Sequence, residues 1–376
     1  MTTRTYDLAI VGAGIVGAAC AYEAAREGMA VVIVDRGIIA GGATAAGMGH
    51  IVVMDDSDAQ FDLTRYSQVL WQELAPELPA DVEYEACGTI WVAADEEEIG
   101  EVNRKQAVYG IRGVPVEVLD AQMLRDAEPN LSEGLAGGLL VPDDAVIYPP
   151  SAARYLLERA QAHGAVLCLG QPAIALTEDG VKLNDGTFIG SGLTVNATGS
   201  WSPDLTPGID VQKRKGHLVI TDRYPGFVHH QLVELGYLKS AHSLTVDSVA
   251  FNIQPRRTGQ VLIGSSRQYG IEDSRVDPVI LGRMLARALE YMPGLTGLSA
   301  IRVWTGFRAA TPDKLPLIGL CPGHERLYLA TGHEGLGITT SLATAKLLVD
   351  QVLNRPSQIR IDPYLPSRPL REVIGV

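Results

Sequence analysis

The stretch YDLAIVGAGIVGAACAYEAAREGMAVVIVDR, residues 6–36, decides the fold of this protein. Its apolar run from Leu8 to Val11 predicts a parallel strand that is buried on both faces. The segment from Ile15 to Arg26 predicts a helix, and a second strand from Val31 to Val34 ends at Asp35. A strand, a glycine-rich turn, a helix and an acid that closes the second strand together predict a bound dinucleotide. The motif alone leaves open whether that dinucleotide is NAD or FAD.

The turn between the first strand and the helix has the spacing Gly-x-Gly-x-x-Gly. Its glycines are Gly12, Gly14 and Gly17, with Ala13 after the first and Ile15 and Val16 before the third. The first glycine permits the tight turn, the second lets backbone approach a pyrophosphate, and the third lets the helix pack on the strand. The helix directs its positive N-terminal end toward that pyrophosphate. Asp35 follows Gly17 by 18 residues, where a carboxylate can bind ribose hydroxyls.

The totals are those of a globular protein and argue against nucleic-acid binding. The 376 residues suit two domains, with 46% hydrophobic and 20% charged residues. A net charge of −13 argues against binding nucleic acid, which needs clustered cations. The 4 cysteines form no CxxC pair, which argues against a metal site or a disulfide framework. Without a signal peptide or a long apolar run, we expect a cytoplasmic protein, with peripheral docking to the inner membrane left open.

One further segment suits a flat ring bound beside backbone, and two strand–turn units lie far downstream. GGATAAGMGH, residues 41–50, has small side chains that let backbone press against a ring, although a flexible surface loop would have a similar composition. LTVNATGSWS, residues 193–202, predicts a strand that breaks at Ala197-Thr198-Gly199. LYLATGHEGLGITTSLATAKLLVDQVL, residues 327–353, predicts a strand, a glycine-rich turn and a helix. The start of that helix can stabilise negative charge on a reduced flavin.

These pieces, in this order, resemble the D-amino acid oxidase family of FAD enzymes, which includes glycine oxidase and sarcosine oxidase. The resemblance covers nearly the whole sequence. Within the family, the sequence is similar above all to glycine oxidase and to the flavin subunits of D-hydroxyproline dehydrogenase and related imino-acid dehydrogenases. The resemblance rests on AAGM with FDLTRYSQ, NATGSWS, GFRAATPDKLPLIG and TGHEGLGI, which begin at residues 45, 61, 196, 306 and 331.

The resemblance implies an α/β fold with two interleaved domains. A Rossmann-like FAD domain of the glutathione-reductase type is expected at 1–82, 146–212 and 305–376, and an α+β substrate domain with an antiparallel sheet at 83–145 and 213–304. The local sequence agrees, because residues 148–167 predict a helix with Ser151 as its N-cap, followed by a strand. Residues 216–221 and 249–265 alternate as antiparallel strands do. A helix is expected from Pro278 to Tyr291, and the acidic run 95–101 is expected to be the solvated start of another.

The resemblance also implies which residues bind FAD. To the adenosine and pyrophosphate it assigns Gly12, Gly14, Ile15, Val16, Gly17, Asp35 and Arg36. To the flavin ring and its linker it assigns Thr44, Ala45, Ala46, Gly47 and Met48. Pro172, Ala173 and Ile174 are expected beside the adenine, and Leu336, Gly337 and Ile338 beside the flavin O2. The rest of the expected cofactor site is Ala197, Thr198, Gly199, Trp201, Gly306, Arg308, Gly332 and Gly335. Because Gly306 stands where monomeric sarcosine oxidases attach flavin through cysteine, FAD is expected to be non-covalent.

Arg308 is the expected substrate-binding residue. In the family, the arginine of GxRxxTPD binds the carboxylate of the amino-acid substrate, and Arg308 occupies that place. A carboxylate that leaves water needs a planar, bidentate partner that keeps its charge. From the residues alone, a structural arginine paired with Asp313 or with the terminal carboxylate of the protein is an equal alternative.

The implied reaction is oxidation of the C–N bond of a small D-amino or cyclic imino acid, with D-hydroxyproline or D-proline favoured. Hydride passes from Cα to flavin N5 and leaves an imine, which can hydrolyse to a keto acid. Leu262 stands where sarcosine oxidases have an oxygen-activating lysine, which favours a quinone or a partner subunit over O2 as electron acceptor. The alternatives are a glycine or sarcosine-type oxidase that makes H2O2, and the flavin subunit of a heteromeric amine dehydrogenase. A homo-oligomer and a hetero-oligomer both remain open.

Four other polar residues are candidates for roles at the site, and two of them have two interpretations each. Arg267 is expected either to hold a second polar group of the substrate or to be a solvent-facing charge at a strand end. His50 is a candidate contact to substrate or flavin, against a packing role. His333 is expected to order its own turn, and Tyr237 to belong to a lid. Gly335 replaces a second arginine of glycine oxidase, as Asn252 replaces a tyrosine, so this site is not a copy of the glycine pocket.

Overall fold

The computed structural model describes residues 5–236 and 247–370. In it the protein divides into two compact units, each assembled from separated segments. Of the described residues, the first unit contains those up to Val82, Tyr148–Lys213 and those from Phe307 to Leu370. The second contains Glu83–Ile147 and Arg214–Gly306. The roles of FAD binding and substrate binding that the sequence assigns to the two domains stay predictions.

The described elements alternate between strands and helices near both ends of the sequence. The strands are β1 Tyr6–Val11, β2 Val31–Asp35, β3 His50–Ile51, β4 Thr89–Ala93, β5 Glu117–Asp120, β6 Gly137–Val141, β7 Ala145–Val146, β8 Val166–Leu169, β9 Ala173–Thr177, β10 Gly180–Leu183, β11 Phe188–Asn196, β12 Gln212–Arg223, β13 Gln231–Glu234, β14 Ser248–Pro255, β15 Gln260–Tyr269, β16 Ala300–Ala310, β17 Leu317–Leu320 and β18 Leu327–Thr331. The α-helices are α1 Ile15–Arg26, α2 Ala43–Ala46, α3 Asp58–Leu74, α4 Glu96–Ile111, α5 Ala121–Ala127, α6 Pro149–Ala162, α7 Ser202–Leu205, α8 Pro278–Tyr291 and α9 Gly337–Val352. Short 3-10 helices occupy Ala75–Glu77, Ala80–Val82, Gly199–Trp201, Pro293–Gly297 and Asp362–Tyr364.

The first unit is built on an 8-stranded sheet in the order β17-β18-β11-β1-β2-β8, with β10 and β9 extending from β11. Strand β1 pairs in parallel with both β2 and β11, so that Leu8 lies opposite Val31 on one side and Leu193 on the other. Leu8, Ala9 and Ile10 are fully buried, as a strand covered on both faces requires. Helix α1 packs against α6 and α9. This is the Rossmann-like arrangement that the sequence predicts.

The second unit is built on another 8-stranded sheet, in the order β16-β12-β15-β14-β13-β4-β6-β5. Its pairs β12–β15, β14–β15, β13–β14 and β4–β6 are antiparallel, whereas β13 and β4 are parallel. Helix α8 packs against β14 and β15, and the rings of Phe251 and Tyr291 stack there with centroids 4.4 Å apart. The apolar core of this unit therefore lies between the sheet and α8.

Three local predictions need correction. Ser151 is not the N-cap of α6, because the helix already begins at Pro149, whose missing N–H suits a first helical position, and Tyr148 is the N-cap. The acidic run is not wholly solvated: Glu98 is buried, and its carboxylate accepts a hydrogen bond from the Ala94 N–H at 2.8 Å. The stretch 41–50 contains the short helix α2, which argues against its alternative interpretation as a flexible surface loop.

Within residues 5–236 and 247–370, no helix is both long and apolar enough to cross a bilayer.

Candidate active site

The glycine turn between β1 and α1 fits closely against a second turn of the first unit. Gly12 has a φ of +115°, and a Cβ there would collide with the carbonyl oxygen of Ala197. A Cβ on Gly17 would collide with the carbonyl oxygen of Gly12. Glycine is therefore required at both positions, one by backbone conformation and contact, the other by contact alone. The turn that breaks β11 at 197–199 thus lies directly beside the dinucleotide motif.

Asp35 is fixed at the end of β2 by backbone donors. Its Oδ2 accepts a hydrogen bond from the Ala13 N–H and its Oδ1 accepts one from the Gly37 N–H, both at 2.7 Å. The neighbouring Arg36 places its guanidinium 4.2 Å from the centre of the Trp201 ring, a cation–π arrangement. The carboxylate and the cation that the sequence assigns to adenosine therefore lie at one corner of the sheet, held by residues 13, 37 and 201.

The N-terminal end of α1 is suited to an anion. Helix α1 has no acidic residue in its first turn, so its partial positive charge is not offset there. Thr44 Oγ1 accepts a hydrogen bond from the Ile15 N–H at 3.0 Å, and a Cβ on Gly14 would lie 3.2 Å from that oxygen. Backbone can therefore approach a pyrophosphate at Gly14, which fits a dinucleotide.

The stretch after Thr44 lies against the start of α9. A Cβ on Gly47 would come within 2.7 Å of Ile338 Cδ1, and the Thr339 hydroxyl donates to the His50 carbonyl oxygen at 2.8 Å. Met48, which lies between these two contacts in the sequence, is buried. Two segments far apart in sequence, both assigned to the flavin ring, are thus neighbours in the first unit.

His333 is a structural residue of the loop that precedes α9. Its side chain is buried, and Nε2 lies 3.0 Å from Thr344 Oγ1 on α9. Burial lowers the pKa of His333 to about 3, so the imidazole is neutral at physiological pH. A neutral, enclosed ring orders the loop and supplies no charge to a ligand.

Arg308 lies near the end of β16, in the part from Phe307 that belongs to the first unit, beside the same loop. Ala309 and Glu334 form an antiparallel bridge, with the Glu334 N–H donating to the Ala309 carbonyl oxygen at 2.8 Å. A Cβ on Gly335 would lie 3.4 Å from Arg308 Nε and 3.6 Å from its Cδ. The stem of Arg308 therefore runs over a residue that has no side chain, next to the N-terminal end of α9.

Asp313 has a partner other than Arg308. Arg368 donates from Nε to Asp313 Oδ2 at 2.7 Å and from Nη2 to Oδ1 at 3.0 Å. Both carboxylate oxygens thus bind the guanidinium of Arg368. This weakens the alternative in which Arg308 is a structural residue paired with Asp313. Arg368 is a residue that sequence reasoning missed, because nothing local in "YLPSRPL" indicates the acid it binds 55 positions earlier.

The remaining predicted residues fall into three groups. Ala173 and Ile174 begin β9, and the preceding Gln171 N–H donates to the Asp35 carbonyl oxygen at 3.0 Å, which ties that segment to the end of β2. Gly306 and Arg267 belong to the second unit. Arg267 is only 9% exposed, so the interpretation as a solvent-facing charge is wrong. Tyr237 lies outside the described residues.

The geometry of the site indicates a class of protein, and the match to a family profile then gives the family. A βαβ dinucleotide site combined with a glycine-rich helix start and an adjacent arginine is the architecture of a dinucleotide-dependent oxidoreductase. The chain belongs to the family described as FAD dependent oxidoreductase, DAO, whose profile matches residues 7–351. FAD is accordingly the cofactor, and the glycine turn, the Asp35 corner and the start of α9 fit it.

Similar proteins agree with this membership. The chain is 28% identical to the hydrogen cyanide synthase subunit HcnC of Pseudomonas aeruginosa, over 97% of this chain and 96% of that one. It is 27% identical to the glycine oxidase of Geobacillus kaustophilus, over 99% of both chains. The crystal structure of the Geobacillus kaustophilus glycine oxidase superposes with a TM-score of 0.88, covering 98% of this chain and 100% of that one.

Proposed function

We propose that this enzyme oxidises the C–N bond of a small amino or cyclic imino acid, with D-hydroxyproline or D-proline-like substrates favoured, and that Arg308 binds the substrate carboxylate. The observation that carries this proposal is the position of Arg308 beside the loop that begins α9, in the same unit as the dinucleotide turn. Similarity to glycine oxidase supports a small amino-acid substrate. When bound, FAD would supply the chemistry of accepting a hydride from the substrate carbon.

Arg308 contributes orientation as well as affinity. A guanidinium presents parallel N–H donors, so a carboxylate bound by two of them has one plane and one direction. Fixing those two features fixes which hydrogen on the neighbouring carbon is presented for transfer. The stem of Arg308 is held by β16 and borders Gly335, so the side chain has a defined course before substrate arrives.

The residues around the cofactor have separable tasks in this proposal. The turn at Gly12, Gly14 and Gly17 and the carboxylate of Asp35 hold the nucleotide end. The backbone at Gly47 and the start of α9 at Gly337 hold the ring, where the positive end of the helix favours negative charge. His333 stays neutral and keeps the loop in shape. His50 as a ligand contact and Arg267 as a binder of a second substrate group stay predictions.

The choice between an imino acid and glycine depends on space beside Arg308. Gly335 lacks a side chain, and its backbone φ is not in the left-handed region, so packing and conformation do not demand glycine there. The room that it leaves favours a substrate larger than glycine. The alternative is a glycine or sarcosine-type oxidase that makes H2O2, which the glycine oxidase relatives favour.

The electron acceptor and assembly are further parts of the proposal. Leu262 in place of a lysine favours a quinone or a partner subunit over O2, and the relative HcnC is itself named as a subunit. We therefore propose that this protein passes electrons to a partner or quinone, either as a homo-oligomer or as the flavin subunit of a hetero-oligomer. A cytoplasmic location is part of the same proposal.

A substrate panel assayed in two ways tests the function. D-proline, D-hydroxyproline, glycine and sarcosine are each offered with O2 and with an artificial dye, and peroxide is measured in the first case. We expect cyclic imino acids to reduce the dye faster than they produce peroxide. Preference for glycine with stoichiometric peroxide would establish the alternative, and no turnover with any member would refute both.

A further inference from the structure

Arg368, near the end of the described residues, makes an unusually complete set of hydrogen bonds. Besides the bidentate pair with Asp313, Nη2 donates to the Leu315 carbonyl oxygen at 2.7 Å and Nη1 donates to those of Pro316 and Leu365 at 2.9 and 3.1 Å. With the two bonds to Asp313, these account for the five N–H donors of a guanidinium. The side chain of Arg368 is 9% exposed, so the bonds are shielded from water.

The acceptors surround a turn that this guanidinium holds closed. Asp313, Leu315 and Pro316 lie on both sides of Lys314, whose φ of +61° is unfavourable for a residue with a side chain. Such a conformation persists only where neighbours determine it. The turn also bonds to itself, because the Thr311 hydroxyl donates to the Leu315 carbonyl oxygen at 2.8 Å.

This turn directly follows the strand that carries Arg308. Thr311 is in contact with the loop before α9, since a Cβ on Gly332 would lie 2.6 Å from Thr311 Cγ2. Two residues earlier, Ala309 bridges to Glu334 of the same loop, and Gly335 borders Arg308. The strand end, the turn and the loop are therefore in contact with one another, and the strand end carries Arg308.

The base of Arg368 is itself anchored. Tyr364 is 1% exposed, and its hydroxyl donates to the Ala59 carbonyl oxygen on α3 at 2.6 Å. The segment that carries Arg368 is thus attached to a helix independently of the turn. Because the backbone near Arg368 is attached to α3, the hydrogen bonds of its guanidinium can restrict the position of the turn.

We propose that Arg368 is a positioning residue for the substrate-binding arginine: by binding Asp313 and the carbonyls of the following turn, it fixes the end of β16 and thereby the guanidinium of Arg308. It also neutralises Asp313, an acid 5 residues from Arg308 that would otherwise be a competing anion in the same segment. This proposal rests on the proposed role of Arg308 in binding the substrate carboxylate.

The test measures binding of benzoate, a simple carboxylate, to the FAD-loaded protein through the change in the visible flavin spectrum. Arg368→Ala and Arg368→Lys are compared with the wild type, and Arg308→Ala is the reference for complete loss. A displaced guanidinium that loses one of two charge-assisted hydrogen bonds to a carboxylate weakens binding roughly 10-fold to 150-fold, so we expect the benzoate Kd to rise by about that factor in Arg368→Ala, and by less in Arg368→Lys. Bound FAD should stay stoichiometric, and added methylguanidinium should restore part of the affinity of Arg368→Ala.

Arg355→Ala is the matched control. Arg355 also binds acids in the first unit, donating to Glu27 at 2.9 and 3.1 Å and to Asp350, but it has no bond to the 313–316 turn. We expect this variant to lose thermal stability with an unchanged benzoate Kd.

Two outcomes overturn the proposal: a benzoate Kd within twofold of the wild type in both Arg368 variants, or loss of FAD from both. If Arg308→Ala also leaves benzoate binding unchanged, the failure lies in the proposed function; if Arg308→Ala abolishes binding and the Arg368 variants do not, it lies in the positioning role alone.

Discussion

Replacing Arg308 gives the sharpest prediction for catalysis. If Arg308 binds the substrate carboxylate through two charge-assisted hydrogen bonds, Arg308→Ala removes both, at about 1.5–3 kcal/mol each. The sum of about 3–6 kcal/mol corresponds to a loss of roughly 150-fold to 25,000-fold in kcat/KM, at about 1.36 kcal/mol per factor of ten. Arg308→Lys keeps the charge but not the planar pair, so it should lose about one bond, roughly 10-fold to 150-fold.

The assay is steady-state reduction of a dye by the best substrate of the panel, with the benzoate Kd measured in parallel. KM and the benzoate Kd should rise together, because the same contact serves substrate and analogue. The spectrum of bound FAD should stay that of the wild type, since the dinucleotide turn does not involve Arg308. A change of less than about fivefold in kcat/KM for Arg308→Ala would remove this residue from the carboxylate role.

Three more variants test the site. Gly17→Ala should purify without flavin, because its Cβ would collide with the Gly12 carbonyl oxygen; absorbance ratios of protein and flavin measure this, and a full flavin complement would contradict it. Gly335→Val should lower kcat/KM for D-proline at least about tenfold more than for glycine, because a methylene in a pocket is typically worth about 1–3 kcal/mol. The control is Gly297→Val, at an open surface position, which should change kcat/KM for neither substrate. Equal losses for both substrates would show that Gly335 does not determine selectivity. His333 has a pKa of about 3 in the folded protein, below its unfolded value near 6.5, so the unfolded state binds more protons between these values and stability falls as pH is lowered. Between pH 7 and pH 5 this contribution is about 2 kcal/mol, and urea unfolding of His333→Gln should lack it; an unchanged pH slope would show that His333 is protonated in the folded state.

The dinucleotide half of the site is predictable because its physics is local. Gly12, Gly14 and Gly17 lie within one turn, and helix α1 has the predicted bounds Ile15–Arg26. The hydrophobic periodicity and the glycine spacing predict the turn and the helix without knowledge of tertiary contacts. The position of Asp35 is predicted by the same strand–helix–strand motif, because it ends the second strand of that motif.

The surroundings of Arg308 are not predictable in the same way. Its contact with Gly335 and the hydrogen bonds between Asp313 and Arg368 join segments that are far apart in sequence. No periodic pattern in the sequence indicates either contact. Ser151 shows the smaller error of this kind: it is a good N-cap residue, but the two prolines before it start the helix earlier. Arg267 shows a larger one, because a charge near a strand end gives no indication of whether neighbouring elements will cover it.

Anaerobic mixing of the FAD-loaded protein with a cyclic imino acid tests the central claim most directly. Oxidation of the C–N bond with Arg308 holding the carboxylate predicts that D-proline or D-hydroxyproline bleaches the visible flavin band of the wild type, and that the methyl ester of the same substrate, which lacks the anion, does so far more slowly. If acid and ester bleach the flavin at equal rates, or if only dithionite bleaches it, the account is contradicted.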